Sequence, residues 1–266
     1  MTSFQALSEG VNACRIVDLS SDVGNHADGP FKTEVDALEP VPGARFFCEN
    51  VLPKVAPHAV GRLRPENFPK GAFLRHEMVR ASVHAGSHVD APGHYGPADD
   101  GSPGLINEAP LGSFIAPGLM YDVSRLPDDV VGLRHVDVPG RGSEGAIALI
   151  RTGGGKAIGS DLVEAFLDAG ITVLGTDGES FDGPFAPMID RYLASGDDAA
   201  LWPAHVLGRS RPYYQLERLR NLEALPASGF LVIAFPVLIE GATAAWTRAV
   251  ALLPEGGATQ APGREE

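Results

Sequence analysis

The chain has 266 residues, 44% of them hydrophobic and 21% charged, with a formal net charge of -13. That balance supports a substantial packed core and argues against a disordered chain. It also argues against nucleic acid or an anionic membrane surface as a partner, because both need clustered Lys and Arg.

Two cysteines, Cys14 and Cys48, are too few for a disulfide framework and point to a reducing compartment. The first ten residues lack the basic, apolar and small-residue order of a secretory signal. The longest apolar run, Phe230 to Ile239, is about half a membrane span and contains Pro236. A cytoplasmic protein is expected.

In chain order, residues 1–13 read as a loose leader and Arg15 to Leu19 as a first strand, followed by a polar loop containing Asn25 and His26. From Phe31 to Pro69 no period persists and prolines recur. That segment reads as an excursion with one short helix, either covering a site or a floppy insertion. Phe73 to Val89 alternates like a strand. Residues 96–104 carry the signals of a loop. Gly118 to Val123 and Gly145 to Arg151 read as strands. The glycine run Thr152 to Lys156 lacks the glycine spacing of a phosphate loop and the Ser or Thr after its lysine, so it reads as a flexible connection.

Ser160 is a suitable N-cap for a helix over Asp161 to Ala169, with Gly170 at C′. Ile171 to Gly175 follows as a strand, making residues 145–175 a βαβ unit with parallel strands. The loop after it, through Glu179 and Ser180, stands where α/β folds place ligand contacts. Both are candidate substrate contacts; a turn or helix-cap role is the alternative for Ser180. Pro184 starts a helix to about Ser195 with Phe185, Met188, Ile189, Tyr192 and Leu193 on its apolar face. A helix around Tyr213 to Leu219 and strands over Gly229 to Phe235 and Ala244 to Leu253 complete the pattern. The resulting organisation is one α/β domain over residues 14–254 and a disordered tail at 255–266.

The chemistry concentrates between Ala81 and Gly96. His84, His88, Asp90 and His94 occupy even positions; a strand running into a turn would converge His84, His88 and Asp90 on one face, with Gly86 leaving the space open, and hold His94 in the turn just beyond them. Imidazole and carboxylate on one face suit a first-row divalent metal. The alternative is a pair of structural histidines beside a capping Asp. The apolar neighbours Ala81, Val83 and Val89 weigh against it, because unpaired polar groups are costly there.

Residues 84–94, His-Ala-Gly-Ser-His-Val-Asp-Ala-Pro-Gly-His, closely resemble the signature His-x-Gly-Thr-His-x-Asp-x-Pro-x-His of the metal-dependent cyclase family. That family includes bacterial kynurenine formamidase, isatin hydrolase and cyclases of aromatic-polyketide pathways. One departure is conservative: Ser87 stands where Thr is usual. Ile16 to Ser20 is similar to the family's opening strand, and Gly175-Thr176-Asp177 to its Gly-x-Asp strand end. His205 and Glu217 match the spacing of its second pair of ligands. Alone, His205 reads as structural and Glu217 as a solvated or ion-paired helix residue.

The resemblance implies a swivelling β/β/α-like fold, with a mixed sheet or barrel core flanked by helices. It implies one or two Zn(II) or Mn(II) ions, with His84, His88 and Asp90 at one and Asp90, His205 and Glu217 at the other. His94 would be the general acid/base, the substrate a small molecule, and the assembly a homodimer or homotetramer. Such machinery suits hydrolysis of a formamide or lactam, and equally aldol-type closure of a poly-β-ketone. Softer similarities around Trp202 to Arg209, Phe235 to Glu240, Trp246 to Arg248 and Glu108 to Leu111 favour the polyketide cyclase. Amide or cyclic-amide hydrolysis is the alternative. A non-catalytic metal-binding protein is the third reading, opposed by the presence of His94 and every ligand. Asn25 and His26 are candidate pocket residues, with a turn role as the alternative.

Overall fold

A nine-stranded mixed sheet, curled into a half-barrel, carries the fold. The computed structural model describes residues 3–24, 32–140 and 142–254. Its strands are β1 (Cys14–Asp18), β2 (Glu34–Leu38), β3 (His76–Arg80), β4 (His88–Asp90), β5 (Ile115–Asp122), β6 (Val130–Val131), β7 (Ile147–Arg151), β8 (Ala157–Ile158), β9 (Val173–Thr176), β10 (Tyr214–Glu217), β11 (Phe230–Ile233), β12 (Ala244–Trp246) and β13 (Val250–Pro254). The α-helices are α1 (Ser3–Asn12), α2 (Pro40–Phe46), α3 (Leu52–Val55), α4 (Ser160–Asp168), α5 (Phe185–Ser195) and α6 (Pro203–Ser210).

The main sheet runs β1-β13-β11-β5-β7-β9-β10-β4-β12. Its centre, β5 through β10, is parallel, and the remaining pairs on both flanks are antiparallel. Strand β7 shows why the centre forms. Ile147, Ala148, Leu149 and Ile150 are all fully buried, the continuous apolar run of a strand covered on both faces. Alternate side chains serve opposite layers: Ile147 and Leu149 pack in one core, Ala148 and Ile150 in the other. The second core is roofed by Leu162, Val163 and Phe166 of α4, each worth about 1.5–3 kcal/mol in burial.

The described residues separate into two compact units, one of residues 1–23 with 83–266 and one of residues 24–82. In the smaller unit, β2 and β3 pair antiparallel, and Phe47, Phe68 and Phe73 cluster with ring centroids 4.7–5.8 Å apart. It is more regular than an excursion with one short helix. Prolines stand in the first turns of α2 and α3, where helices tolerate a missing N–H, and a π-helical turn at Phe47–Val51 lies between them.

Several local expectations give way to tertiary pairing. Residues 3–12 are helical where a loose leader is expected. The strand expected over 73–89 is two short strands separated by a turn, and 244–253 likewise divides into β12 and β13. Residues 214–217 form strand β10, not a helix, because hydrogen bonding to β9 and β4 on either side outweighs the helical spacing of its leucines. The glycine run is tethered: the Asp177 carboxylate accepts from the N–H groups of Thr152 and Gly153 and from the Thr152 hydroxyl, at 2.7–3.0 Å.

Helix α4 begins at Ser160 itself, with Gly159 as the cap residue. The βαβ unit stands, with β7 and β9 parallel. On α5 only Met188 of the expected apolar face is buried; Phe185, Ile189 and Leu193 are exposed. Residues 25, 26 and 255–266 lie outside the described residues, so Asn25, His26 and the expected tail receive no structural account. Among the described residues, no helix is long and apolar enough to cross a membrane.

Candidate metal centre

The site is built from the turn before β4, the strand itself, the turn after it, and two elements far along the chain. Ahead of β4, Gly86 takes a left-handed conformation (φ +68°), and a Cβ there would lie 2.6 Å from the Asp22 carbonyl oxygen. This glycine turn carries His84 back toward the strand, so His84 reaches the cluster from a turn and not from a shared strand face. The Ser87 hydroxyl accepts from the Ser21 N–H and donates to the Arg218 carbonyl, both at 2.7 Å. It thereby ties the start of β4 to the residue after Glu217.

On β4, His88 pairs in register with Glu217 of β10. Asp90 is fully buried, and His88 is 1% exposed. His84 Nδ1 lies 3.0 Å from Asp90 Oδ1, and His88 Nε2 lies 3.5 Å from both Asp90 Oδ1 and Glu217 Oε2. After the strand, a 3₁₀ turn over Pro92–Tyr95 sets His94 Nε2 at 3.9 Å from Asp90 Oδ2. The His84 and His94 rings are 4.3 Å apart at their centroids. From α6, His205 Nε2 points at Glu217 Oε1, 3.9 Å away.

Two three-residue groups have ligand atoms all within 4.8 Å of one another: His84, His88 and Asp90, and Asp90, His94 and His205. Asp90 belongs to both, as a bridging carboxylate would. All six expected ligand and acid/base side chains are therefore brought together. Glu179 and Ser180 are not shown among them. Glu179 is exposed, 3.8 Å from Arg218, and the buried Ser180 hydroxyl accepts from the Asp182 N–H at 3.3 Å.

The donor atoms fit a cation. His88 Nε2 and both carboxylate oxygens of Asp90 are buried and face the cluster's own imidazoles and carboxylates at 3.0–3.9 Å, a costly arrangement unless something positive joins them. The tautomer also fits: His88 Nδ1 donates to the Gly86 carbonyl at 3.0 Å, which leaves Nε2 to face the cluster.

Burial opposes a charge on His88, but the neighbouring Asp90 and Glu217 carboxylates override it and raise its pKa to about 10. Asp90 shows the converse. Burial pushes its carboxyl up, and the facing histidines, His88 foremost, hold it well below the usual range. Burial lowers His94, with Asp90 only partly offsetting it. The His205 imidazole is raised against its own burial by Asp182 and Glu217.

Asp182 is the site residue that reading the sequence does not single out. Its carboxylate lies 2.6 Å from His205 Nδ1. Nothing in the local sequence Phe181-Asp182-Gly183 connects it to a histidine beyond the next helix.

Residues 4–183, more than half of the chain, match the family model described as "Putative cyclase", and the chain belongs to that family. It is 29% identical over 235 residues to an isatin hydrolase of Roseibium aggregatum, covering 79% of this chain and 84% of that protein. It is 31% identical over 186 residues to a kynurenine formamidase of Salinibacter ruber, covering 65% of this chain and 77% of the relative. Among solved structures, an isatin hydrolase bound to the product analogue thioisatinate superposes with a TM-score of 0.68 at 21% identity, over 96% of this chain and all of the other.

Proposed function

We propose that this protein is a divalent-metal-dependent hydrolase acting on the carbon–nitrogen bond of an amide or cyclic amide. The observation that carries the reading is the convergence of buried ligand atoms on His88 and Asp90 with those of His84, His94, His205 and Glu217. Nitrogen and oxygen donors without cysteine suit Zn(II) or Mn(II). His84, His88 and Asp90 would hold one ion, and Asp90, His205 and Glu217 a second. When bound, such an ion supplies Lewis-acid polarisation of a carbonyl and acidifies water.

The protein's own contribution to proton movement is His94. It is about a third exposed, and burial keeps its imidazole neutral near pH 7, so Nε2 can accept a proton from water and return it to the leaving nitrogen. His94 also belongs to one of the two ligand groups. The proton-transfer role is preferred because its depressed basicity and partial exposure suit a group that meets substrate.

Hydrolysis is preferred here to the polyketide ring closure expected from the softer sequence similarities. The curated relatives are named as a formamidase and as a hydrolase of isatin, itself a cyclic amide. The metal-loaded protein assayed against N-formylkynurenine, isatin and a poly-β-ketone separates the two. Amide cleavage with no ring closure is expected; ring closure with neither amide cleaved would overturn the proposal. Assembly of copies is part of the same reading. Val35 on β2 and Met78 and Val79 on β3 are exposed, and a two-stranded ribbon gains from an apolar partner. Light scattering should give the mass of a dimer or tetramer, and a monomer mass would contradict it.

A further inference from the structure

Asp182 is 1% exposed, and both of its carboxylate oxygens are engaged. Oδ1 accepts from the Ala204 N–H at 2.7 Å. Oδ2 accepts from the His205 N–H at 3.3 Å and faces His205 Nδ1 at 2.6 Å. The residue before it completes the arrangement, since the Phe181 N–H donates to Glu217 Oε1 at 2.9 Å. Two consecutive residues therefore hold the two side chains that arrive late in the chain: Phe181 through its backbone holds Glu217, and Asp182 through its carboxylate holds His205.

We infer that Asp182 is a positioning residue for this centre: it fixes the tautomer and direction of His205 so that Nε2 is presented to a divalent ion. The inference rests on the metal-dependent reading above. Capping the first turn of α6 explains Oδ1, but the 2.6 Å approach of Oδ2 to the ring goes beyond what a cap requires. A carboxylate can only accept at Nδ1, so the proton stays on that nitrogen and the lone pair on Nε2. The two imidazoles are supported differently. His88 Nδ1 meets a neutral carbonyl, whereas His205 Nδ1 meets a buried carboxylate, which adds to the electron density its own Nε2 can offer an ion.

Asp182→Asn removes this support with almost no change in size. Asn offers one oxygen, and keeping the shorter 2.7 Å bond from the Ala204 N–H puts that oxygen in the place of Oδ1 and the NH₂ in the place of Oδ2. Its NH₂ then faces Nδ1 and drives the ring proton to Nε2, the atom the ion needs. Equilibrium dialysis of metal-stripped protein against Co(II) and Zn(II) tests this with the wild type, Asp182→Asn and His205→Ala. Where the wild type binds two ions, Asp182→Asn is expected to weaken one of them about 10–100-fold and spare the other, as His205→Ala does more severely. The spared ion also reports that the variant has folded.

Where the wild type binds one ion, that ion should weaken in both variants. Wild-type affinity in Asp182→Asn, or in His205→Ala, overturns the inference while leaving metal dependence intact. A wild type that binds neither ion overturns the metal reading itself, and the inference with it. Asp182→Ser keeps an acceptor for the α6 N–H groups and removes the carboxylate from Nδ1; it decides in the same way if the Asn protein is insoluble.

Discussion

His88 Nε2 stands 3.5 Å from Glu217 Oε2, across the antiparallel pair in which β4 and β10 set these two residues directly opposite each other. Directly opposed residues on paired strands project to the same face, so the register of one strand pair decides whether the two halves of the site meet. A one-residue slip would turn Glu217 to the other face. The site is therefore a property of the sheet as much as of the motif around His88.

The same relationship makes the metal-free protein pH-sensitive. Asp90 and Glu217 raise His88 from 6.5 to about 10, so its contribution to stability is complete below pH 6.5 and is lost as pH rises through about 10. Asp90 runs the other way: held below 3.8, it contributes above that value, and its contribution is lost as pH falls through its depressed folded value. Chelator-treated protein should show its highest Tm between about pH 4 and 6.5, with a decline toward pH 10. Saturating Zn(II) should flatten that decline, because the ion displaces the His88 proton. Thermal denaturation followed by circular dichroism measures both, and a flat metal-free Tm across the alkaline range would contradict the assignment.

His94→Ala should lower kcat by about 10²–10⁴-fold while leaving metal content unchanged. The lowered basicity of His94 places the acid limb of the wild-type kcat/KM profile below pH 6.5, and the residual activity of the variant should lack that limb. Steady-state kinetics with metal analysis of the same preparations checks it. Loss of metal on His94→Ala would make His94 a ligand.

Gly86→Ala combines an unfavourable left-handed φ with a Cβ forced against the Asp22 carbonyl. It should destabilise the main unit by about 1–3 kcal/mol. It should also weaken metal binding, because the Gly86 carbonyl is the acceptor that fixes His88 Nδ1. Chemical denaturation and metal titration of the variant read the two effects. Wild-type values in both would show that this turn does not set the position of His88.

The sequence made the site legible in unequal parts. His84, His88, Asp90 and His94 fall within eleven residues, and their spacing matches a known signature. His205 and Glu217 were reachable only through resemblance, because each is locally unremarkable. Glu217 even sits in a helical-looking stretch, between Leu216 and Leu219, that sheet pairing converts to β10.

Helix α6 did leave a signal, Pro203 at its first position, but its preceding residue, Trp202, adopts a left-handed conformation (φ +48°) that no propensity suggests. Asp182 left none, because its partner arrives through the packing of a loop against a helix end. The pairing of β2 with β3 joins strands separated by the whole of α2 and α3, and that register has no local marker. Parallel β7 and β9 were legible because continuous apolar runs flank an amphipathic helix.

The central claim is that His88 and its neighbours hold a divalent ion. Elemental analysis of the wild type and of His88→Ala, each purified without added metal and then reloaded and desalted, tests it most directly. The account predicts at least one equivalent of Zn(II) or Mn(II) in the wild type and its loss in the variant. A metal-free wild type after reloading, or a variant with unchanged metal content, would contradict it.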